Sequence, residues 1–334
     1  MKYLSVEKGN AETVRRRLMG SGHLDPSRQI IREGGRVLFP VMPDVPKEIG
    51  ELIEHRDGKP RELRPSWYGD IANVPEGLKP HLPRSFDAIG HVAVMKIPDD
   101  IRPYAGEVAD AILACNPAIA TVAIDEGIHG EDRVRTLKVV RGTETETEYV
   151  EYGTRMLVDP TKVFFTPRLG FERWRVASLV TPFEKVLDMF AGVGPFSLHI
   201  CRRAPSAEVY AVDSNPHAVE YMKANAKLNR VNNLHAISGK IEDVMKDLPT
   251  FDRAIMNLPM RSVEHIPLAL SKIGEGWLHI YWIVDNMDDE VAMQEIRKRI
   301  ETAGRGVGSI SVREVKSYAP GVRFLSFDVS VIPT

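Results

Sequence analysis

A glycine-containing turn after Asp188 is the strongest chemical signal in the chain. The stretch VLDMFAGVGPFSLHI predicts a buried strand that ends at Asp188, then a turn with Gly192 and Gly194, then a helix from Pro195. In open α/β sheets, ligands lie beyond the carboxyl ends of the strands, where glycines let the backbone approach them closely. The segment therefore predicts a site for a small polar cofactor.

A second carboxylate, Asp213, follows about one βα unit later, where it can accept hydrogen bonds from both hydroxyls of a ribose. A dinucleotide site would need G-x-G-x-x-G, but Phe196 and Ser197 follow Gly194. S-adenosylmethionine carries no phosphate and needs an acidic residue for its amino group, and Asp188 is placed for that. The pattern therefore favours S-adenosylmethionine, with a nicotinamide oxidoreductase or a glycine turn without any ligand as the weaker alternatives.

The third signal is MNLP at the end of a later predicted strand, which contains Asn257, Leu258 and Pro259. The asparagine amide is both donor and acceptor, and the proline stiffens the turn, so the corner could hold the edge of a planar base. It resembles the Asn-Pro-Pro-aromatic corner of methyltransferases that act on nitrogen. An ordinary exit from a strand into a loop is the equally good alternative.

Length and composition indicate a multidomain globular protein of ordinary type. The chain has 334 residues, and this length is greater than one hydrophobic core usually supports. Its composition, 43% hydrophobic and 27% charged residues, is that of an ordinary globular protein. Its two cysteines, Cys115 and Cys201, form no C-x-x-C pair, which argues against a disulfide framework or a zinc site. We find no signal peptide and no apolar run of membrane length, and expect a cytoplasmic protein.

The formal net charge is −2, so nucleic-acid binding would have to come from local basic patches. One such patch is predicted near the N-terminus, and a solvated helix face is the alternative explanation. Its members are Arg15, Arg16, Arg17, Arg28, Arg32 and Arg36.

Three regions differ in their predicted elements. Residues 1–70 predict a small module with a helix from Asn10 and an extended segment at 36–41, followed by a proline-rich linker at 43–83. Residues 84–171 predict a mixed α+β domain, with strands at 88–97, 118–124, 133–140, 146–152 and 156–159 and a helix at 106–115. Residues 172–334 alternate strands and helices, which predicts a mainly parallel sheet. Its strands are expected at 185–188, 208–213, 234–238, 251–256 and 277–284, with an antiparallel pair at 310–315 and 325–331 joined by the link KSYAPGVR.

Taken together, the motifs resemble the archaeal and eukaryotic tRNA (guanine-37, N1) methyltransferase family. Five segments carry the resemblance in order: KVFFTPRLGFER, DMFAGVGPF, DSNPHA, NLP and KSYAP, from Lys162 to Pro320. The resemblance implies a class I methyltransferase-type doubly wound sheet, preceded by the mixed domain and by a small N-terminal α/β module that contacts tRNA. It also implies a cytoplasmic monomer that uses S-adenosylmethionine and needs no metal.

Carried over residue by residue, the resemblance makes Glu172 the general base and Arg133 the group that stabilises guanine O6. Guanine N1 must lose a proton to become a nucleophile, which pushes negative charge onto O6, so a carboxylate and a guanidinium meet both needs. The alternative without a catalytic role is an ordinary charged first helical turn for Glu172 and a solvated ion pair for Arg133. The implied substrate residues are Arg133, Asn257, Pro259 and Tyr318. The implied cofactor residues are Phe164, Arg173, Asp188, Phe190, Gly192, Gly194, Asp213, Ser214, Asp243 and Asn257.

The sequence departs from the family pattern at three places. Where relatives have G-D-x-x-E, this chain has Gly239 to Asp243 as GKIED, so Asp243, Glu242 or backbone atoms would meet the adenine. Phe164 replaces a common tyrosine, and TEYVEYG replaces a segment like H-K-E-N-G. The alternatives are a wyosine-pathway enzyme, which transfers an aminocarboxypropyl group or methylates a tricyclic guanine, and an RNA-binding protein without catalysis. The intact NLP favours simple methyl transfer.

Overall fold

The computed structural model describes residues 2–46, 49–54, 65, 67–129 and 134–334. The chain forms two compact units, Met1–Asp70 and Ile71–Thr334. Most of the polar stretch RDGKPRELRPSWYGD, which is part of the predicted linker at 43–83, lies outside the described residues, as does Arg133. In the described part of the chain, no helix combines the length and the apolar character needed to cross a bilayer.

The first unit is a small antiparallel sheet with one helix. The predicted helix is confirmed, and Leu18 on its buried side packs with Leu4 and Phe39 in a small core. The strand at the very N-terminus was not predicted, although four of its six side chains are buried. The elements are β1 (Lys2–Glu7), α1 (Ala11–Gly20), β2 (Ile31–Glu33), β3 (Arg36–Pro40) and β4 (Glu51–Glu54), in the sheet order β2-β3-β1-β4.

The second unit opens with a four-stranded sheet, one helix and a separate hairpin. The strand predicted at 88–97 is in fact a hairpin, because Gly90 adopts a φ of +54° and reverses the chain. The elements are β5 (Asp87–Ile89), β6 (Val92–Met95), α2 (Ala105–Cys115), β7 (Thr121–His129), β8 (Val134–Arg141), β9 (Thr147–Glu151) and β10 (Thr154–Val158). Strands β6 and β7 are parallel, and the sheet order is β5-β6-β7-β8. This mixture of strands and helix agrees with the predicted α+β character.

A seven-stranded sheet forms the rest of the unit, in the order β13-β12-β11-β14-β15-β17-β16. The first five strands of this order are parallel, and β17 and β16 close the edge antiparallel, as predicted. The strands are β11 (Lys185–Asp188), β12 (Glu208–Asp213), β13 (Leu234–Ser238), β14 (Arg253–Met256), β15 (Gly276–Asp285), β16 (Gly306–Ala319) and β17 (Val322–Ile332). The predicted doubly wound, mainly parallel sheet is confirmed.

Helices cover both faces of this sheet and bury its apolar side chains. Asn215 caps one of them, since its Oδ1 accepts a hydrogen bond from the amide of His217 at 3.0 Å, and Pro216 occupies the first turn. The helices are α3 (Gly170–Leu179), α4 (Pro195–Arg203), α5 (Pro216–Leu228), α6 (Ile241–Val244), α7 (Ile266–Leu270) and α8 (Asp289–Thr302).

The predicted link KSYAPGVR is mostly strand. Pairing with β17 continues as far as Ala319, so only Pro320 and Gly321 form the turn. Gly321 has a φ of +80°, and a Cβ there would lie 2.3 Å from Oδ1 of Asn286. Tyr318 therefore projects from a strand rather than from a loop.

Candidate cofactor and substrate site

One cavity of about 560 Å³ opens at the carboxyl ends of the parallel strands. It brings together eight of the predicted site residues: Phe164, Arg173, Phe190, Gly192, Asp213, Asn257, Pro259 and Tyr318. Five other predicted residues are described but do not line its wall: Glu172, Asp188, Gly194, Ser214 and Asp243. The position of Arg133 lies outside the described residues.

The glycine turn is held by the neighbouring strand end. The amide of Gly192 donates to Oδ2 of Asp213 at 2.7 Å, and the amide of Asn215 donates to Oδ1 at 2.9 Å. Gly192 and Gly194 have φ values of +56° and +86°, which favour glycine. Each carboxylate oxygen has a second lone pair, so Asp213 can still accept from a ligand in the cavity.

Asp188 lies directly behind this turn and is fully buried. The hydroxyl of Ser197 donates to its Oδ2 at 2.8 Å, whereas Oδ1 has no hydrogen-bond partner among the described residues. Burial raises the pKa of Asp188 to about 7, although the Ser197 hydroxyl acts in the opposite direction. A buried acceptor without a donor favours a ligand that brings one.

The Asn257 corner is also fixed by a side chain that sequence reasoning missed. The hydroxyl of Ser262 donates to the carbonyl of Met256 at 2.7 Å and accepts from the amide of Leu258 at 3.0 Å. The amide of Ile283 donates to the carbonyl of Pro259 at 2.9 Å, which ties the corner to β15. Oδ1 of Asn257 is buried and has no donor in the described part of the chain, so the corner has a free acceptor next to the cavity.

Glu172 stands in the first turn of α3 and is 3% exposed. Its carboxylate accepts from the guanidinium of Arg175 at 2.9 and 3.0 Å and from the hydroxyl of Tyr281 at 3.2 Å. Tyr281 and Ile283 point to the same face of β15, and Ile283 lines the cavity. Glu172 therefore lies one layer of side chains below the cavity wall.

The Glu172 pair continues into a buried network of charged groups. Arg175 donates to Asp328 at 2.5 Å, and Nδ1 of His279 donates to Asp328 at the same distance. Nε2 of His279 accepts from Arg253 at 2.7 Å, which requires a neutral imidazole, and burial lowers the pKa of His279 accordingly. Although burial opposes it, hydrogen bonds from His279 and Arg175 hold the pKa of Asp328 well below its usual range. Every member of this network is paired.

A charged wall lines the cavity on the side of the preceding sheet, and sequence reasoning missed it. Asp87 accepts from Nε of Arg168 at 2.6 Å and lies 3.4 Å from Arg135, whose guanidinium is 5.5 Å from the centre of the Phe164 ring. Nζ of Lys316 lies 4.3 Å from the centre of the Tyr318 ring, and burial together with the charge of Arg168 lowers the pKa of Lys316. In the sequence, Arg135 stands two positions after the predicted Arg133 in the same segment EDRVRTL, and this basic residue was the available signal.

The adenine contact was expected at Asp243 or Glu242, and neither side chain lines the cavity. Asp243 is exposed and off the cavity wall. The Glu242 carboxylate accepts from Nε2 of His265 at 2.9 Å, and the rings of His265 and Phe190 are in edge-to-face contact at 5.0 Å. Phe190 lines the cavity. Within the described ranges, no three His, Cys, Asp or Glu side chains converge as metal ligands would.

Comparison with known proteins places the chain in one family. The TRM5/TYW2 methyltransferase domain matches residues 147–312, the TYW2 N-terminal domain residues 71–145, and the tRNA methyltransferase 5 N-terminal domain residues 4–51. The chain is 37% identical over 332 residues to the tRNA (guanine(37)-N(1))-methyltransferase Trm5b of Pyrococcus abyssi, covering 98% of each. It is 30% identical over 270 residues to a tRNA(Phe) (4-demethylwyosine(37)-C(7)) aminocarboxypropyltransferase of Pyrococcus horikoshii, covering 77% of this chain and 93% of that one.

Solved structures agree with this placement. The crystal structure of Trm5b from Pyrococcus abyssi superposes with a TM-score of 0.74 at 36% identity, covering 99% of both chains. The structure of a complex of aTrm5 with tRNALeu superposes with a TM-score of 0.71 at 30% identity, again covering 99% of both. The family resemblance and the class I methyltransferase-type fold inferred from the sequence are confirmed. The chain belongs to the archaeal and eukaryotic tRNA (guanine-37, N1) methyltransferase family, within the TRM5/TYW2 methyltransferases.

Proposed function

We propose that this protein transfers a methyl group from S-adenosylmethionine to N1 of guanine 37 in tRNA. The observation that carries the proposal is a single cavity lined by the glycine turn, by Asp213, by the Asn257 corner and by Tyr318. A cofactor and a planar base can meet there at the ends of the parallel strands. The full-length similarity to Trm5b supports the same reaction.

The residues present fit S-adenosylmethionine. Asp213 would bind the ribose hydroxyls, and the Gly192 turn lets the backbone approach the ligand. Asp188 has an Oδ1 without a donor among the described residues, but it lies behind the glycine turn, so that turn would have to shift for Oδ1 to meet the amino group of the methionine part. The Phe190 ring lines the cavity and is held by its edge-to-face contact with His265, so it could form a wall beside the adenine. When bound, the cofactor supplies a methyl group on a positively charged sulfur.

The protein's own task is to prepare guanine N1. Asn257 would hold the base edge through its free Oδ1, and Arg133 would stabilise the charge that develops on O6. Glu172 would accept the N1 proton. Because its carboxylate is bound by Arg175 and Tyr281 below the cavity wall, this role requires a side-chain rotation when tRNA binds. Positioning of the two reactants supplies much of the remaining acceleration.

We further infer that residues 1–70 contact tRNA, that 84–171 form a middle domain and that 172–334 form the methyltransferase domain. Three separate family matches support a threefold division, although their bounds differ: they cover residues 4–51, 71–145 and 147–312, so the methyltransferase match begins before residue 172. We also infer a cytoplasmic monomer that works without a metal. The two free cysteines, Cys115 and Cys201, fit a reducing compartment.

The test is incubation with labelled S-adenosylmethionine and unmodified tRNA that bears G or A at position 37. Label should enter only the G37 transcript, and mass analysis of the nucleoside should show one added methyl group. Addition of an aminocarboxypropyl group would instead indicate the activity of the wyosine-pathway relatives. Binding of tRNA without any transfer would contradict the proposal and favour an RNA-binding protein.

A further inference from the structure

The turn between β9 and β10 carries an unusual residue. Tyr152 and Gly153 form a two-residue hairpin loop with φ values of 45° and 76°. Such loops favour asparagine, aspartate or glycine at the first position, because other side chains are strained at positive φ. The Tyr152 side chain is nevertheless 58% exposed. Strained backbone positions of this kind cluster at functional sites.

Tyr152 belongs to a cluster that we call the Tyr152 patch. Its ring centre lies 5.9 Å from that of Trp174, and the guanidinium of Arg203 lies 5.5 Å from the Trp174 ring. Phe171, one helical turn before Trp174, is 56% exposed. Arg202 bonds the Thr154 hydroxyl at 2.8 Å beside the same turn. The patch comprises Tyr152, Phe171, Trp174, Arg202 and Arg203.

The patch is cationic and lies behind a wall of the cavity. In the part of the chain that the structure describes, neither Arg202 nor Arg203 forms an ion pair with a carboxylate. Glu151, directly before Tyr152, binds the guanidinium of Arg173 at 2.9 Å, and Arg173 lines the cavity. The patch is therefore connected to the catalytic cavity by one buried ion pair.

Single exposed aromatic residues are common and need no explanation. Here two rings and a guanidinium are in contact, beside a second arginine. Aromatic rings and arginine planes are the groups on which unstacked RNA bases lie, and unpaired arginines bind phosphates. A protein partner with an apolar surface would leave two cations unpaired, so the chemistry favours RNA. The whole chain has a net charge of −2, so the positive charge of the patch is a local feature and not a consequence of an overall basic surface.

We propose that the Tyr152 patch is an RNA-contact surface, on which an unpaired base of the bound tRNA stacks against Tyr152 while Arg202 and Arg203 bind neighbouring phosphates. The inference rests on the proposed function in taking tRNA as the partner. It adds a contact outside the cavity, on the outer side of α3 and the β9–β10 turn.

The test compares Tyr152→Asn with Phe183→Asn in the full-length protein. Phe183 is a matched control, since it is 81% exposed, has a φ of 68° and makes no ring contact among the described residues. Tyr152→Asn should weaken binding of an unmodified G37 transcript roughly tenfold, as expected for one lost stacking contact. Its affinity for S-adenosylmethionine should not change, and its melting temperature should stay equal or rise because asparagine tolerates this backbone. Arg203→Gln should reduce the slope of log Kd against log salt by about 1.

An unchanged tRNA affinity in Tyr152→Asn, or an equal loss in Phe183→Asn, would overturn the inference. Loss of self-association in sedimentation equilibrium with unchanged tRNA affinity would also overturn it and assign the patch to a second protein chain. Methyl transfer by the parent protein is measured in the same preparation. Absence of transfer in the parent contradicts only the proposed function, whereas normal transfer with unaffected binding in the variant contradicts only the patch.

Discussion

Two buried carboxylates lie near the cavity, Asp188 behind the glycine turn and Glu172 at the start of α3, and they differ in their hydrogen-bond partners. One oxygen of Asp188 has no hydrogen-bond partner among the described residues, and burial raises its pKa to about 7. Glu172 is equally buried but accepts from Arg175 and Tyr281 within a fully paired network. Burial alone therefore does not indicate the role of a carboxylate. Asp188 lacks a partner that a ligand can supply, whereas Glu172 must give up a partner before it can act.

The largest effect is expected from Glu172→Gln. If Glu172 takes the N1 proton, single-turnover methyl transfer should fall by about 10²–10⁴-fold, while binding of tRNA and S-adenosylmethionine stays close to that of the parent. Glu184→Gln is the matched control, because Glu184 pairs with Arg253 at the other end of the same network. It should lower stability without a comparable loss of rate. Equal rates in parent and Glu172→Gln would make Glu172 a structural residue only.

The next effect concerns the pH dependence of stability through Asp188. Between a pH of about 4 and 7, the folded chain keeps a proton on Asp188 that the unfolded chain has released. Stability should therefore fall as pH rises through this window and then level off. At about 1.36 kcal/mol per pKa unit, the loss amounts to about 4 kcal/mol. Asp188→Asn should remove this part of the slope.

Urea unfolding at pH 4 and pH 8 measures the prediction for Asp188. A cationic ligand at Asp188 favours the carboxylate, so S-adenosylmethionine should stabilise the parent more strongly at pH 8 than at pH 5. The same ligand should show no such dependence in Asp188→Asn. Identical slopes in parent and variant would mean that Asp188 is ionised in the folded protein at all these pH values.

A smaller effect is expected from Gly194→Ala, which disturbs the turn in front of Asp188. Its φ of +86° adds strain of about 1–2 kcal/mol for alanine, and the new Cβ would lie 2.8 Å from Cγ of Met222. Gly304→Ala is the control, since Gly304 has a φ of +76° and nothing within 4 Å of a Cβ. Gly194→Ala should lose about 1–3 kcal/mol more unfolding free energy than the control and should bind S-adenosylmethionine less tightly. Equal losses in the two variants would show that Met222 moves aside freely.

The smallest effect is expected from Tyr281→Phe, which removes the hydrogen bond that the Tyr281 hydroxyl donates to Glu172. The lost hydrogen bond is worth about 0.5–1.5 kcal/mol of unfolding free energy, and the aromatic contacts with Phe196 and Phe324 remain. Methyl transfer should be nearly unchanged, because Arg175 still holds the carboxylate. A large drop in the rate would instead place the Tyr281 hydroxyl in the proton path.

Much of the sheet could be predicted because its signals are local. Strands β11, β12 and β13 were predicted with the bounds that the structure shows, since short apolar runs ended by glycine, asparagine or aspartate suffice to define them. Asn215 as a helix cap was predicted for the same reason, as its bond to His217 spans two residues. The glycine turn and Asp213 also follow from sequence, because consecutive parallel strands end at one edge of the sheet.

The partners of the charged side chains were decided only by the tertiary structure. Asp87 meets Arg168, which is 81 residues away, and Arg175 meets Asp328, which is 153 residues away. No local period encodes such pairs, since they depend on which faces of separate elements are packed together. The sequence by itself determined the doubly wound sheet and the turn that faces the cofactor. Packing decided that Glu172 lies below the cavity wall, that Tyr318 stands on a strand, and that Asp188 alone of the two carboxylates keeps an oxygen without a described partner.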